Sequence, residues 1–217
     1  MISVFDMFSI GIGPSSSHTV GPMRAAKTFC ETLESEHNID VIDSVTVELY
    51  GSLGQTGKGH GTGKAVILGL MGFDPETVEV SNVEGYLQEI EQTQTLKLVN
   101  SHQVAFPRQG AIVFHRRKTL PLHSNGMSIF AYSKGQLVLS QTYYSIGGGF
   151  VVNEDDFQMV KNRSLEAEQK PLPYSFSSAS ELIQKCKENG LSISALMLEN
   201  EATVQPKADV VDQLWHI

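Results

Sequence analysis

Apolar residues recur at intervals of three and four from His18 to Glu36, where Val20, Met23, Ala26, Cys30 and Leu33 share one face of a predicted helix. The period then drops to two. In "SVTVELYG", Val45, Val47 and Leu49 alternate with Thr46 and Glu48, the pattern of a strand buried on one side. The glycine-dense stretch from Gly51 to Gly63 predicts a loop running into a short helix over Lys64–Leu70, with Gly72 as its left-handed end. Ser81 and Glu84 have the spacing of a capping box, and Val83, Tyr86, Leu87 and Ile90 give the helix after them an apolar stripe.

Between residues 95 and 152 the pattern returns to period two in "LKLV", "AIVFH", "MSIFAYS" and "QLVLSQTYYS", with turn chemistry at Ser124-Asn125-Gly126 and Lys134-Gly135. Antiparallel pairing is expected there. Helices and strands are partly segregated, which predicts an α+β fold, a mixed β-sheet with helices packed on it. Residues 1–152 read as one domain. Residues 153–179 are polar and proline-bearing and read as a linker. Residues 180–217 look helical again, with Ser180 capping "ELIQKCKEN", Gly190 closing it, and "SISALMLENEA" and "KADVVDQLWHI" following. The last of these carries the stripe Val210, Val211, Leu214 and Ile217 beside Trp215 and ends without a cap, so further sequence or a partner is expected.

Composition narrows the function classes. The 217 residues are 41% hydrophobic and carry a net charge of −8, enough for a sizeable core but repelled by phosphate surfaces. Nucleic acid and anionic membranes are not expected partners. No apolar run is long enough to span a bilayer and "MISVFDMFSI" lacks a charged signal region, which points to a cytoplasmic protein. Cys30 and Cys186 are far apart and each sits in a helical pattern, so both are expected as reduced packing or surface residues.

The glycine-rich segments fail the phosphate-loop tests. A P-loop needs a glycine five residues before its Gly-Lys and a hydroxyl residue after it. Gly57-Lys58 has Ser52 and Gly59 at those places, and Gly63-Lys64 has Lys58 and Ala65. "GIGPSS" has Ser16 where a dinucleotide fingerprint needs its third glycine. The seven histidines show no metal-ligand spacing, so no metal ligand is assigned, and a Gly-x-Ser-x-Gly elbow is missing. What remains is "GIGPSSSHTVGPMRAA". Three serines, His18 and Thr19 at the mouth of a helix exceed what capping requires, and unpaired N–H groups with a positive helix dipole suit a carboxylate. "KGHGTGK" repeats the arrangement around His60, and "LHSNGM" and "YYSIGGGF" add polar turns that a ligand can approach closely. Four loops rich in hydroxyls and imidazoles but poor in fixed charge suit a small zwitterion.

These same stretches, "SVFDMF", "GIGPSSSHTVGPMRA", "LYGSL…TGKGHGT", "LPLHSNGM" and "YYSIGGGF", resemble the iron–sulphur-dependent L-serine dehydratases of bacteria, in that family's order and over most of residues 2–152. "ISALMLENE" is similar to the segment joining the family's two parts. The resemblance implies conversion of L-serine to pyruvate and ammonia. It implies a β part with the fold called the allosteric substrate-binding domain, and a catalytic α part whose cysteines hold a [4Fe-4S] cluster, with a homodimeric assembly. This chain would be the β part. An iron atom would polarise the serine hydroxyl while a protein base takes the α-proton. His60 is the first candidate for acid/base work and His18 the second, since imidazoles titrate near neutrality. Ser15, Ser16, Ser17, Thr19, Thr62 and Asn125, with the turn carrying Ser145, Gly147 and Gly148, would bind substrate. The family commonly has an acidic residue where this chain has Gly63 and a proline where it has Ser124. Two rival readings are a serine-sensing module without turnover and a docking protein using the Trp215 stripe.

Overall fold

The computed structural model describes residues 3–8, 10–107, 109–157 and 172–217. Two compact units emerge, one of residues 10–163 and one joining residues 1–9 to 164–217. Part of the expected linker, residues 158–171, lies outside the described residues.

In the larger unit, helix α2 (Val20–Glu36) leads to strand β1 (Ser44–Leu49), then to helices α3 (Gly51–His60), α4 (Thr62–Leu70) and α5 (Val80–Thr93). Strands β2 (Thr95–Leu98), β3 (His102–Ala105), β4 (Ile112–Phe114), β5 (Gly126–Ser133), β6 (Gln136–Gly147) and β7 (Phe150–Asn153) complete it. The sheet runs β2-β3-β1-β5-β6-β7, with β4 also on β1. The expected antiparallel pairs form between β2 and β3, β5 and β6, and β6 and β7. Both β3 and β4 instead run parallel to β1, one at its start and one at its end, because Pro107 and Gly110 interrupt what would be a single long strand. The sheet is therefore mixed and the class α+β. The Lys134-Gly135 turn takes φ of 51° and 74°, the two positive angles a tight hairpin needs.

The alternation read in β1 is the one observed, with Val45, Val47 and Leu49 fully buried. They form one core with Phe29 and Leu33 of α2, Leu53 of α3, Val66 and Leu70 of α4, and Met127 and Ile129 of β5. Each such side chain contributes about 1.5–3 kcal/mol by leaving water. Cys30 lies in that core, where burial pushes its thiol up to about 12 and Glu34 and Glu31 add to the rise.

The sequence-based expectations need correction at several boundaries. Helix α2 begins at Val20, since His18 and Thr19 belong to a preceding turn in which both backbone N–H groups donate to the Ser15 carbonyl. The Ser81–Glu84 capping box does not form. Helix α5 starts at Val80 after Glu79, and the Ser81 hydroxyl donates to Glu79. The expected loop over Gly51–Gly63 is mostly the helix α3, for a reason set out below.

In the smaller unit, α1 (Val4–Met7) joins α6 (Ala179–Asn189), α7 (Ile193–Glu201) and α8 (Lys207–His216). The buried Glu201 carboxylate accepts from Ser3 Oγ at 2.8 Å and from the Val4 backbone at 2.9 Å, satisfying the start of α1. The cap of α6 is Ser178, two residues before the expected Ser180, and it accepts from Glu181 N. Gly190 ends the helix in the left-handed conformation as expected. Of the terminal stripe Val210 is buried, while Trp215 is 91% exposed. No described helix is long and apolar enough to cross a membrane.

Candidate active site

Helix α3 has the sequence GSLGQTGKGH, poor in helix formers. It is a helix because its glycines let it approach its neighbours. A Cβ on Gly51, whose φ is +52°, would lie 2.1 Å from the Ser124 carbonyl oxygen, and one on Gly54 would lie 2.4 Å from the His115 carbonyl oxygen. The gain is tertiary contact in exchange for propensity. The strand end beneath it is fixed by Glu48, which accepts from Tyr50 Oη and pairs with His115 Nε2 at 2.7 Å, while the Tyr50 and His115 rings stack at 4.8 Å. The Tyr50 hydroxyl bond holds the Glu48 carboxyl below its ordinary range, and burial with the Glu48 charge lifts Tyr50 to about 12.

Placed so, α3 presents Ser52, Thr56 and His60, one turn apart, to His18. The His18 side chain is nearly buried. Its Nε2 lies 3.1 Å from both Ser52 Oγ and Thr56 Oγ1, and its Nδ1 lies 3.0 Å from Ser17 Oγ and 3.5 Å from Ser15 Oγ. Burial pushes the His18 imidazole below its ordinary value and the nearby His60 adds to the fall, while a backbone hydrogen bond with Ser52 opposes both. The His60 ring lies 4.7 Å from that of His18. His60 Nδ1 is 3.0 Å from the Thr56 carbonyl, which can only accept, so Nδ1 carries the proton and Nε2 of the neutral ring keeps its lone pair.

Not every predicted binding residue is free to bind. Thr19 Oγ1 donates to the Ser15 carbonyl and Thr62 Oγ1 to the His18 carbonyl, each at 2.7 Å. Both are buried and hold the serine turn in shape. Ser16 supplies its carbonyl to Gly21 N.

A second cluster adjoins the first. Asn125 Nδ2 donates to the Ser145 carbonyl, and the Ser145 N–H donates back to the Asn125 carbonyl. Gly147 and Gly148 take φ of 105° and 58° in the turn beyond. Ser145 packs on the first turn of α2, where a Cβ on Gly21 would meet Ser145 Oγ at 2.0 Å. That hydroxyl is buried and has no hydrogen-bond partner among the described residues. The loop before Asn125 ties the clusters together, since Ser52 N donates to the Ser124 carbonyl. Sequence reasoning missed Ser52, Thr56 and His123, whose Nδ1 accepts from Asn125 N. The signal was there in the four-residue spacing of Ser52, Thr56 and His60, but only a helical reading of 51–60 exposes it.

The described residues do not form a cradle for an iron–sulphur cluster. Among the described residues no group of three metal-ligating side chains converges, and Cys30 and Cys186 belong to separate units. A groove of about 770 Å³ along β4, lined by Ile67, Leu87 and Phe114, contains none of the candidate residues.

Comparison with known proteins identifies the family. Residues 3–156 match the family model of the serine dehydratase beta chain. The whole chain is 50% identical to an L-serine dehydratase of Streptomyces coelicolor and 45% identical to L-serine dehydratase 1 of Escherichia coli, covering 47% of each. An L-serine dehydratase of Helicobacter pylori is 37% identical over 99% of the chain and 46% of its own length. The chain thus spans about half the length of the curated relatives it matches. With His18, His60, Asn125 and Ser145 all inside the matched segment, the chain belongs to the serine dehydratase beta-chain family.

Proposed function

We propose that this chain is the substrate-side part of an L-serine dehydratase, which converts L-serine to pyruvate and ammonia. The observation that carries this reading is the His18–His60 pair, with a hydroxyl at each nitrogen of one ring and a free lone pair on the other. Elimination needs a base that takes the α-proton, and His60 Nε2, the ring nitrogen turned away from the Thr56 carbonyl, is the atom offered for it. The nearby His18, held neutral by burial, leaves room for the single positive charge that His60 gains. The turn bearing Ser15 and Ser17 would hold the substrate carboxylate, with the unpartnered Ser145 hydroxyl supplying a further bond. Loss of the α-proton and of hydroxide gives aminoacrylate and water. Aminoacrylate tautomerises to the imine, whose hydrolysis yields pyruvate and ammonia.

The family resemblance implies a [4Fe-4S] cluster on cysteines of an α part that this chain does not contain, and when bound that group would serve as a Lewis acid at the hydroxyl. The reading includes a homodimer containing both parts, with a body of the allosteric substrate-binding type.

The test is turnover of L-serine by the complete protein, carrying this chain and the catalytic part, and by its His60→Ala and His60→Gln variants. Loss of about 10²–10⁴-fold in kcat with a modest change in KM is expected. Normal turnover in His60→Ala would remove His60 as the base. Binding of L-serine by the complete, cluster-loaded protein without turnover would replace the lyase by a sensor.

A further inference from the structure

The turn between β6 and β7 poses a holding problem. Gly147, Gly148 and Gly149 take positive φ in succession, at 105°, 58° and 81°. Such a run is open to glycine and costs the most chain entropy to fix. Yet Ser145, two residues before it, is held with its hydroxyl buried against the first turn of α2.

A side chain of α2 reaches this turn. Arg24 Nη1 donates to the Gly149 carbonyl at 3.1 Å, and Arg24 Nη2 pairs with the Glu76 carboxylate. Gly149 sits close on the same helix face, where a Cβ would come 2.7 Å from Val20 Cγ1 and 3.1 Å from Arg24 Nη1. A guanidinium is a planar fork that serves two acceptors in fixed directions, which an ammonium on a flexible stem does not reproduce. The loop bearing Glu76 has a separate anchor, since Lys27, one turn along α2, pairs with Asp74. Losing Lys27 therefore loosens the same loop without touching the glycine turn.

We propose that Arg24 is a positioning residue of the site: it clamps the Gly147–Gly149 turn onto α2 and thereby fixes Ser145 at the helix mouth. Its effect on substrate rests on the function proposed above; the clamp itself does not.

The experiment compares Arg24→Met, Arg24→Lys and Lys27→Met in the complete protein. It reads amide hydrogen exchange over residues 145–150, thermal stability, and KM and kcat for L-serine. Arg24→Met should speed exchange in the turn by about tenfold or more, the loss of one charge-assisted hydrogen bond. It should raise KM about tenfold while kcat stays within about threefold. Arg24→Lys should recover thermal stability through Glu76 but not protection of the turn. Lys27→Met should lower stability and leave both turn exchange and KM as in the parent.

Unchanged turn exchange in Arg24→Met would overturn the proposal. So would a Lys27→Met protein whose turn and KM move as far as those of Arg24→Met, because the effect would then be general loosening of α2. Faster exchange with an unchanged KM would confine Arg24 to stability and overturn its role at the site. Were the parent protein inactive on L-serine, the proposed function would fail, and the exchange comparison would still decide the clamp.

Discussion

His18 and His60 face each other with ring centroids 4.7 Å apart, although one lies in the turn before α2 and the other at the last position of α3. Two imidazolium ions that close repel, and His18 is also nearly buried, so the fold favours its neutral form.

That preference makes stability depend on pH. The unfolded chain binds a proton at His18 near the ordinary value of 6.5, while the folded chain resists it to lower pH. In the window below 6.5 the unfolded state therefore holds more protons, and stability falls as pH falls. Above the window the contribution is fully present. Urea unfolding at about pH 7.5 and 5.5 should show a smaller loss in a His18→Gln protein than in the parent. Equal losses would mean that His18 is not the group responsible.

The two hydroxyls on His18 Nε2 are partly redundant, since Ser52 Oγ and Thr56 Oγ1 both lie 3.1 Å away. Ser52→Ala and Thr56→Val should each cost less than about 1 kcal/mol. The double variant, which leaves a buried ring nitrogen without its partner, should cost about 1–3 kcal/mol and exceed the sum of the two. A double-mutant cycle of unfolding free energies checks this, and strict additivity would show that the two hydroxyls are not redundant.

Two helical glycines should respond to alanine with opposite signs. A Cβ on Gly69 of α4 would lie 2.1 Å from the Met23 carbonyl oxygen and 2.8 Å from Ala26 Cβ, at the crossing with α2. Gly69→Ala should therefore destabilise by about 1–3 kcal/mol or more. Nothing lies within 4 Å of a Cβ on Gly59 of α3. Gly59→Ala should stabilise by about 0.5–1 kcal/mol, through the helix propensity alone. Melting temperatures that moved in the same direction would contradict the packing described here.

Cys30 should be inert while the chain is folded. With its thiol pushed up to about 12 by burial and two nearby glutamates, almost none is thiolate at pH 8. In a Cys186→Ser protein, a disulfide reagent at pH 8 should react with Cys30 only after denaturant is added. Rapid reaction in the native protein would place Cys30 outside the core.

Several elements were legible in the chain because they are local or periodic. The stripe from Val20 to Leu33, the alternation in β1, the hairpin turn at Lys134-Gly135 and the left-handed end at Gly190 all follow from period, or from the few residues that accept positive φ. The serines, imidazoles and glycine turns of the candidate site were visible as residue types in their loops.

What the chain by itself left open was long-range. Residues 51–60 read as a loop because four glycines in ten residues oppose a helix locally. They form one because Gly51 and Gly54 admit the backbone of Ser124 and His115, which lie far away in sequence. Only that helix puts Ser52 and Thr56 on one side with His60 and brings them to His18. The parallel course of β3 and β4 beside β1, the unpartnered hydroxyl of Ser145 and the reach of Arg24 to Gly149 are of the same kind. Periodicity and capping determined which segments fold and which faces they bury. Close backbone approach, which has no local signature, decided which polar groups meet.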